Sequence, residues 1–295
     1  MADRPFVITT DNTCDFPEEY YQQHGLGRPL HIDYIIDGVV YDGHSKSLGL
    51  RQFYDEMRAG KMPSTQQANP QQAVDQFVPL LEDGYDILHL AFSSGLSGTY
   101  NSICIARQEL QEKYPQAAIV VLDTLCASMG EGLLVHKALR LKEQGKSLEE
   151  IAQWVEDNKL RLFHDVVADD LFHLQRGGRV SKTSAIVGSA LGIKPRIYVN
   201  DEGKLIPYGK VRGKKAALIQ MADSLQERIK GYEAENDVVF ISHSDCIEDA
   251  ELLRDLIQER TGIGEYLISY IGPTIGAHTG IGTVALFYMA ANRHV

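Results

Sequence analysis

Short β-branched runs alternate with longer segments of helical spacing through the first half of the chain. Strand patterns fall at residues 6–10, 31–36, 39–41, 86–92 and 118–122, and helical patterns at 16–24, 47–58, 71–81, 99–113, 127–144 and 147–160. Asp37-Gly38 reads as a hairpin turn between the second and third strands. Residues 63–70 are too polar for core and read as a loop. Strands separated by helices predict a mostly parallel sheet with helices on both faces. After residue 160 the texture changes. Strands at 164–168 and 197–200 flank a Gly- and Arg-rich stretch with a short helix at 181–190. A helix at 213–230, a strand at 237–243, a helix at 247–260, a strand at 265–271, a Gly-rich loop at 272–282 and a strand at 283–289 follow. The predicted class is α/β in two domains, residues 1–160 and residues 161–295, the second built on a mixed sheet.

Composition narrows the function. Hydrophobic residues at 44% and charged residues at 23% are ordinary for a globular protein. A formal net charge of −11 argues against nucleic acid, whose phosphates it repels. Cys14, Cys104, Cys126 and Cys246 are far apart and form no metal-ligand pair, so neither a disulfide framework nor a metal site is expected. No apolar run has the length of a membrane span, and MADRPFVITT lacks the pattern of a signal peptide; the expected location is the cytoplasm.

Four loops could carry chemistry. FSSGLSGTY, at residues 92–100, leaves a strand and enters a helix, where open parallel sheets bind ligands. Ser93, Ser94, Ser97 and Thr99 offer hydroxyls, Gly95 and Gly98 permit close backbone approach, and helix-terminal amides favour an anion. Helix capping alone needs only one such side chain. The spacing lacks the G-x-S-x-G of a nucleophile elbow and the Gly-Lys-Ser/Thr of a phosphate-binding loop. Pro63-Ser64-Thr65-Gln66-Gln67 reads as a capping loop with a second set of hydroxyls. Arg176 and Arg179 flank a Gly pair, either as guanidinium forks for a carboxylate or phosphate or as solvated turn residues. His278 sits among four glycines and two threonines, Thr274 and Thr279, where it could hydrogen-bond an acid.

The segments ITTDNTCDFP, FSSGLSGTYNS, DTLCASMGEG, LFHLQRGGRVS, KPRIYV and IGPTIGAHTGIGTVALFY occur in order over nearly the whole chain. Together they resemble the DegV family of fatty-acid-binding proteins. The resemblance implies a two-domain α/β fold with a long-chain fatty acid, such as palmitate, stearate or oleate, buried between the domains. It implies a binding subunit with no catalytic residue and no cofactor. The partner would be an ATP-dependent fatty acid kinase subunit that makes acyl-phosphate for phospholipid synthesis. Transient membrane contact is compatible with that role.

Carried over by motif, the carboxylate holders are Thr65, Ser93, Ser94, Ser97, His278 and Thr279, with Ser94 as the main contact. Arg176, Arg179 and Arg212 would present the head group or meet the partner. The family's Thr-Ser-Gln-Pro-Ser reads Thr65-Gln66-Gln67-Ala68-Asn69 here, without the proline. Candidate tail-lining residues are Leu88, Leu90, Phe92, Ile103, Leu133, Leu134, Ile186, Leu191, Ile193, Ile275 and Ile281. Two other readings stand beside this one. The chain could be a stand-alone acyl hydrolase using Ser94 or Ser97 with His278, or a lipid sensor or transfer protein without a kinase partner.

Overall fold

A computed structural model describes residues 4–181 and 192–295; the helix expected at 181–190, and with it Ile186 and Leu191, lies outside the described residues apart from Ser181. Three sheets form. Strands β1 (Phe6–Thr10), β5 (Asp86–Ala91) and β6 (Ile119–Asp123) make a parallel sheet in the order β1-β5-β6. Strands β2 (Asp33–Ile36), β3 (Val39–Tyr41) and β4 (Ser64–Gln66) make a small antiparallel sheet in the order β3-β2-β4. From residue 162 onward, β7 (Leu162–Val167), β8 (Ile193–Val199), β9 (Leu205–Arg212), β10 (Val238–His243), β11 (Glu265–Tyr270) and β12 (Val284–Met289) form a mixed sheet. Its order is β11-β10-β12-β7-β8-β9, parallel only between β10 and β11.

Strand alternation explains the layering of the parallel sheet. Ile87 and Ala91 of β5 face one cluster with α3 (Pro70–Glu82) and α4 (Thr99–Lys113), while Leu88 and Leu90 face the other way. There they meet α1 (Glu18–Gln23), α5 (Met129–Glu143) and α6 (Leu148–Asn158). The same cluster takes in Val166, Phe240 and Phe287 from one face of the mixed sheet, so α5 lies between the two sheets. The opposite face of the mixed sheet, with Val167, Ile241 and Leu286, is covered by α8 (Lys214–Arg228) and α9 (Ile247–Thr261).

The remaining elements are α2 (Leu50–Arg58), α7 (Phe172–Arg176) and α10 (Pro273–Thr279). Four elements differ from the sequence pattern. β4 forms in the polar stretch read as a loop because Thr65 pairs with Tyr34 on an edge that needs no apolar face. The Gly-rich stretch forms α10, begun by Pro273 at its first turn. The short elements α7 and β9 fall in stretches with no clear period. Asp37 and Gly38 both adopt positive φ, as the hairpin turn requires.

Polar groups cross the seam between the sheets. Asp15 accepts hydrogen bonds from Ser128 Oγ (2.5 Å), at the start of α5, and from the Gly272 amide (2.9 Å), at the start of α10. Burial pushes its carboxyl up to about 7, against the smaller opposing effect of these two donors. The native carboxyl therefore holds its proton above the pKa of the unfolded chain, and the resulting stability is lost as pH rises through about 7. Relative to Asp15→Asn, the wild-type protein should lose about 1 kcal/mol of unfolding free energy between pH 6 and 7 and little more above it. Urea denaturation at the two pH values measures the difference.

Candidate functional site

A cavity opens where the parallel-sheet loops, α10 and the mixed sheet converge. Its wall includes Phe92, Leu96, Val166, Leu174, Ile197, Val199, Leu205, Ile275 and Phe287. Its volume is about 70 Å³, under half of the ~150 Å³ apolar cavity that accepts benzene. An acyl chain fits only when part of the wall moves.

The cavity's polar groups fall into two kinds. Thr274 donates to Ile32 O (2.7 Å), Thr283 to Thr279 O (3.0 Å) and Ser128 to Asp15. His164 Nε2 accepts from the Ala127 amide (3.1 Å). These groups spend their hydrogen bonds inside the fold and leave a largely apolar wall. Together with Gln67 they are the polar lining residues that were not among the expected site residues. Thr274 and Thr283 lie in one motif-bearing segment and Ser128 in another, but nothing local marks these side chains as lining, and only the tertiary fold brings them together.

The second kind is clustered. Thr65 Oγ1 on β4 lies 2.7 Å from His278 Nε2 on α10. The neighbouring Thr279 makes only a long bond to Ile275 O (3.4 Å). Ser97 Oγ lies 2.9 Å from Thr99 Oγ1, which also accepts the Ala68 amide (3.2 Å) and so ties this loop to the end of β4. Arg179 also lines the cavity, its guanidinium donating to Leu96 O (3.1 Å) and Gly177 O (2.6 Å). Burial lowers the pKa of this arginine.

His278 is held neutral. Burial drives its pKa down to about 3, and the charges of Arg179 and Arg176 add to the effect. Its Nδ1 is buried without a hydrogen-bond partner. In either tautomer the Thr65–His278 pair therefore retains one unspent hydrogen, on the hydroxyl or on Nδ1. Around it stand hydroxyls and one guanidinium, a donor set suited to an anionic oxygen pair.

Arg176 sets this geometry without lining the cavity. Its Nη2 donates to Pro63 O (2.5 Å) and Ala277 O (3.1 Å), joining the segments that carry Thr65 and His278. Thr65, Ser97, His278, Thr279 and Arg179 are thus brought together. Three other expected residues are not. Ser93 is buried and donates to Gly203 O (2.8 Å), Ser94 is exposed with its amide on Asp123 (3.1 Å), and Arg212 is exposed on β9. Of the expected tail-lining residues among those described, Phe92 and Ile275 reach the cavity wall. Leu88, Leu90, Leu133 and Leu134 pack in the core around α5, and Ile103 in the cluster beneath α3 and α4.

A serine–histidine–acid relay is not assembled among the described residues, because the hydroxyl on His278 belongs to Thr65 and Nδ1 meets no carboxylate. No group of three or more potential metal ligands occurs among the described residues. All four cysteines are free. No helix among the described residues is long and apolar enough to cross a membrane.

Gly177 permits the placement of His278. A Cβ at position 177 would lie 2.1 Å from His278 Nδ1, too close for any real contact. Gly177→Ala should displace the ring, break its contact with Thr65 and cost about 1–3 kcal/mol through overpacking. Thermal unfolding and histidine NMR would both register the change.

Comparison with known proteins agrees with the fold. The family model described as "Uncharacterised protein, DegV family" matches residues 5–291. A DegV domain-containing protein of Clostridium perfringens is 46% identical, over 98% of this chain and 99% of that one. The solved structure of a fatty acid binding DegV family protein from Streptococcus agalactiae is 31% identical, with a TM-score of 0.81, covering 98% of this chain and all of that one. DegV from Bacillus subtilis, solved as a fatty acid binding protein, is 26% identical with the same TM-score, over 98% of this chain and 100% of that one. The chain belongs to the DegV family.

Proposed function

We propose that this protein binds a long-chain fatty acid, with the tail in the apolar cavity and the carboxylate at the Thr65–His278 pair. The observation that carries the reading is the division of the cavity wall into hydroxyls already spent inside the fold and one cluster with unspent donors. Relatives solved as fatty-acid-binding proteins at 31% and 26% identity support the ligand class. In this reading the site lies between two domains, residues 1–160 and 161–295.

The energetics suit retention of a lipid. A sixteen-carbon chain buries about fourteen methylenes at ~0.8 kcal/mol each, roughly 11 kcal/mol gross. Association costs remove several kcal/mol of that. The tail sets the affinity, and the head-group cluster prevents the large penalty of an unpaired buried carboxylate. Thr65, Ser97 and Thr279 donate hydroxyl hydrogens, Arg179 supplies the positive charge, and His278 orients Thr65. Arg176 holds the two halves of the pair in register.

The chain then acts as a binding subunit in the cytoplasm, offering its bound acid to a separate kinase that makes acyl-phosphate for phospholipid synthesis. Arg179 is the residue we assign to meet the product, a reading supported by its being common to the cavity wall and to the surface groove beside Lys204 and Pro207.

Titration with palmitate tests the assignment. Thr65→Val and His278→Ala should each weaken binding about tenfold or more, the scale of a hydrogen bond to a charged group. Ser94→Ala should change it little. Equal losses in all three variants, or none, would refute the head-group placement. Mixing the loaded protein with an ATP-dependent fatty acid kinase subunit should give ATP-dependent acyl-phosphate, and its absence would remove the kinase step from the account.

A further inference from the structure

The wall that must move for a chain to enter has a structural candidate. Strands β8 and β9 pair along seven positions, whereas β8 joins the rest of the mixed sheet through Val166↔Ile197, Val167↔Arg196 and the Ala168 amide on Pro195 O (3.3 Å). The neighbouring β12–β7 pairing runs for six. At Arg196/Ile197 the β8–β9 register shifts, the signature of a bulge. Below the bulge the ribbon is anchored: buried Arg196 pairs with buried Asp165, which also accepts from Tyr208 (2.9 Å). Beyond the bulge, Val199 and Leu205 form part of the cavity wall with no pairing to β7.

The tip is fastened at two hydrogen-bonded points, with a longer approach of His294 Nε2 to Asp201 Oδ2 (3.7 Å) beside them. Ser93 Oγ donates to Gly203 O (2.8 Å) in the turn. Gly203 has φ +70, and a Cβ there would lie 2.0 Å from Ser93 Oγ, so only glycine lets the turn sit this close. The second point is Arg293, fully buried although two residues from the end of the sequence given. Its guanidinium reaches Asn200 O (3.3 Å) in the turn, together with Leu125 O (2.8 Å), Lys159 O (2.6 Å) and Leu162 O (2.9 Å). It also reaches Cys126 Sγ (2.9 Å). These acceptors come from the β6–α5 loop, the segment before β7, the first residue of β7 and the ribbon turn. None is a carboxylate, so the cation is held by position and not by an ion pair.

We propose that the β8–β9 ribbon is a flap over the cavity, hinged at the Arg196/Ile197 bulge and latched shut by Ser93 on Gly203 and by Arg293 on Asn200. The proposal rests on the fatty-acid reading above and assigns Ser93 a different task from the one its motif suggested. It is a positioning residue that holds the wall, not a contact for the carboxylate. A short attachment at the sheet edge, a bulge at the hinge and polar fasteners at the tip favour opening of the ribbon among the described parts of the wall.

Stopped-flow mixing with cis-parinarate, an intrinsically fluorescent long-chain acid, separates a latch from a ligand contact. Ser93→Ala should raise both the uptake and the release rate about tenfold, the effect of one hydrogen bond lost from the closed state alone, while Kd moves far less. Arg293→Lys, which keeps the charge but loses the fork, should do the same. Faster release with unchanged uptake would make Ser93 a ligand contact and overturn the proposal, as would unchanged rates in both variants. Hydrogen exchange on the unmodified protein gives a second test that no folding defect can obscure. The Gly203 and Lys204 amides should exchange faster than those of β7 and β12, and bound palmitate should slow them. Protection equal to β7 and β12 would overturn the flap, whereas failure of the unmodified protein to take up any acid would overturn the fatty-acid reading itself.

Discussion

Leu133, Leu134 and Val135 are consecutive on α5 and all fully buried, so at 100° per residue that turn of the helix has little side left for solvent. One side packs on the parallel sheet and the other on the mixed sheet. This double contact is the constraint from which the rest follows. It fixes the spacing of the two sheets, and beyond the start of α5, at Ala127 and Ser128, the seam between them opens into the cavity. The cavity is walled by the loops that follow β5 and β6 on one side and by the mixed sheet on the other.

The seam also dictates how polar groups behave. Glu131 is fully buried on α5 and satisfied by Thr10 Oγ1 (2.7 Å) and Thr13 Oγ1 (2.9 Å), with burial raising its pKa well above the ordinary carboxylate range. His278 shows the converse, a base kept neutral by burial and nearby arginines. Near pH 7 the site thus meets an anion with neutral donors and the guanidinium of Arg179. An anion bound there in the proposed way needs no protonation of histidine, and its one charged partner is the half-buried Arg179.

Local signals were legible wherever the chain decides its own conformation. The helix at 99–113 has the same bounds in sequence and structure, because its apolar spacing and the Gly98 entry are local features. The parallel sheet with helices on both faces followed from the same reasoning. β4 and α10 were hidden because polar edge strands and Gly-rich helices carry weak periodicity. Among site residues, Thr65 and His278 were legible through motif and loop context, yet their 2.7 Å contact joins positions 213 residues apart. Ser93 and Ser94 illustrate the limit. A run of hydroxyls announces an anion cradle, but the β8–β9 turn takes one hydroxyl and its neighbour, in the turn after β5, is exposed to solvent. Arg176 was legible through its Gly-pair turn, but its bonds to two distant carbonyls were not, and Arg293 gave no local cue because its oxygen acceptors are backbone carbonyls from distant segments.

The central claim is that the cavity holds a fatty acid in the folded protein. The most direct test is to purify the recombinant chain, denature it, extract it and identify the released lipid by mass spectrometry, with added palmitate and oleate as a loading control. The account predicts close to one long-chain fatty acid per chain, reduced in parallel preparations of Thr65→Val. No released acid, together with no uptake of either added acid, would contradict it.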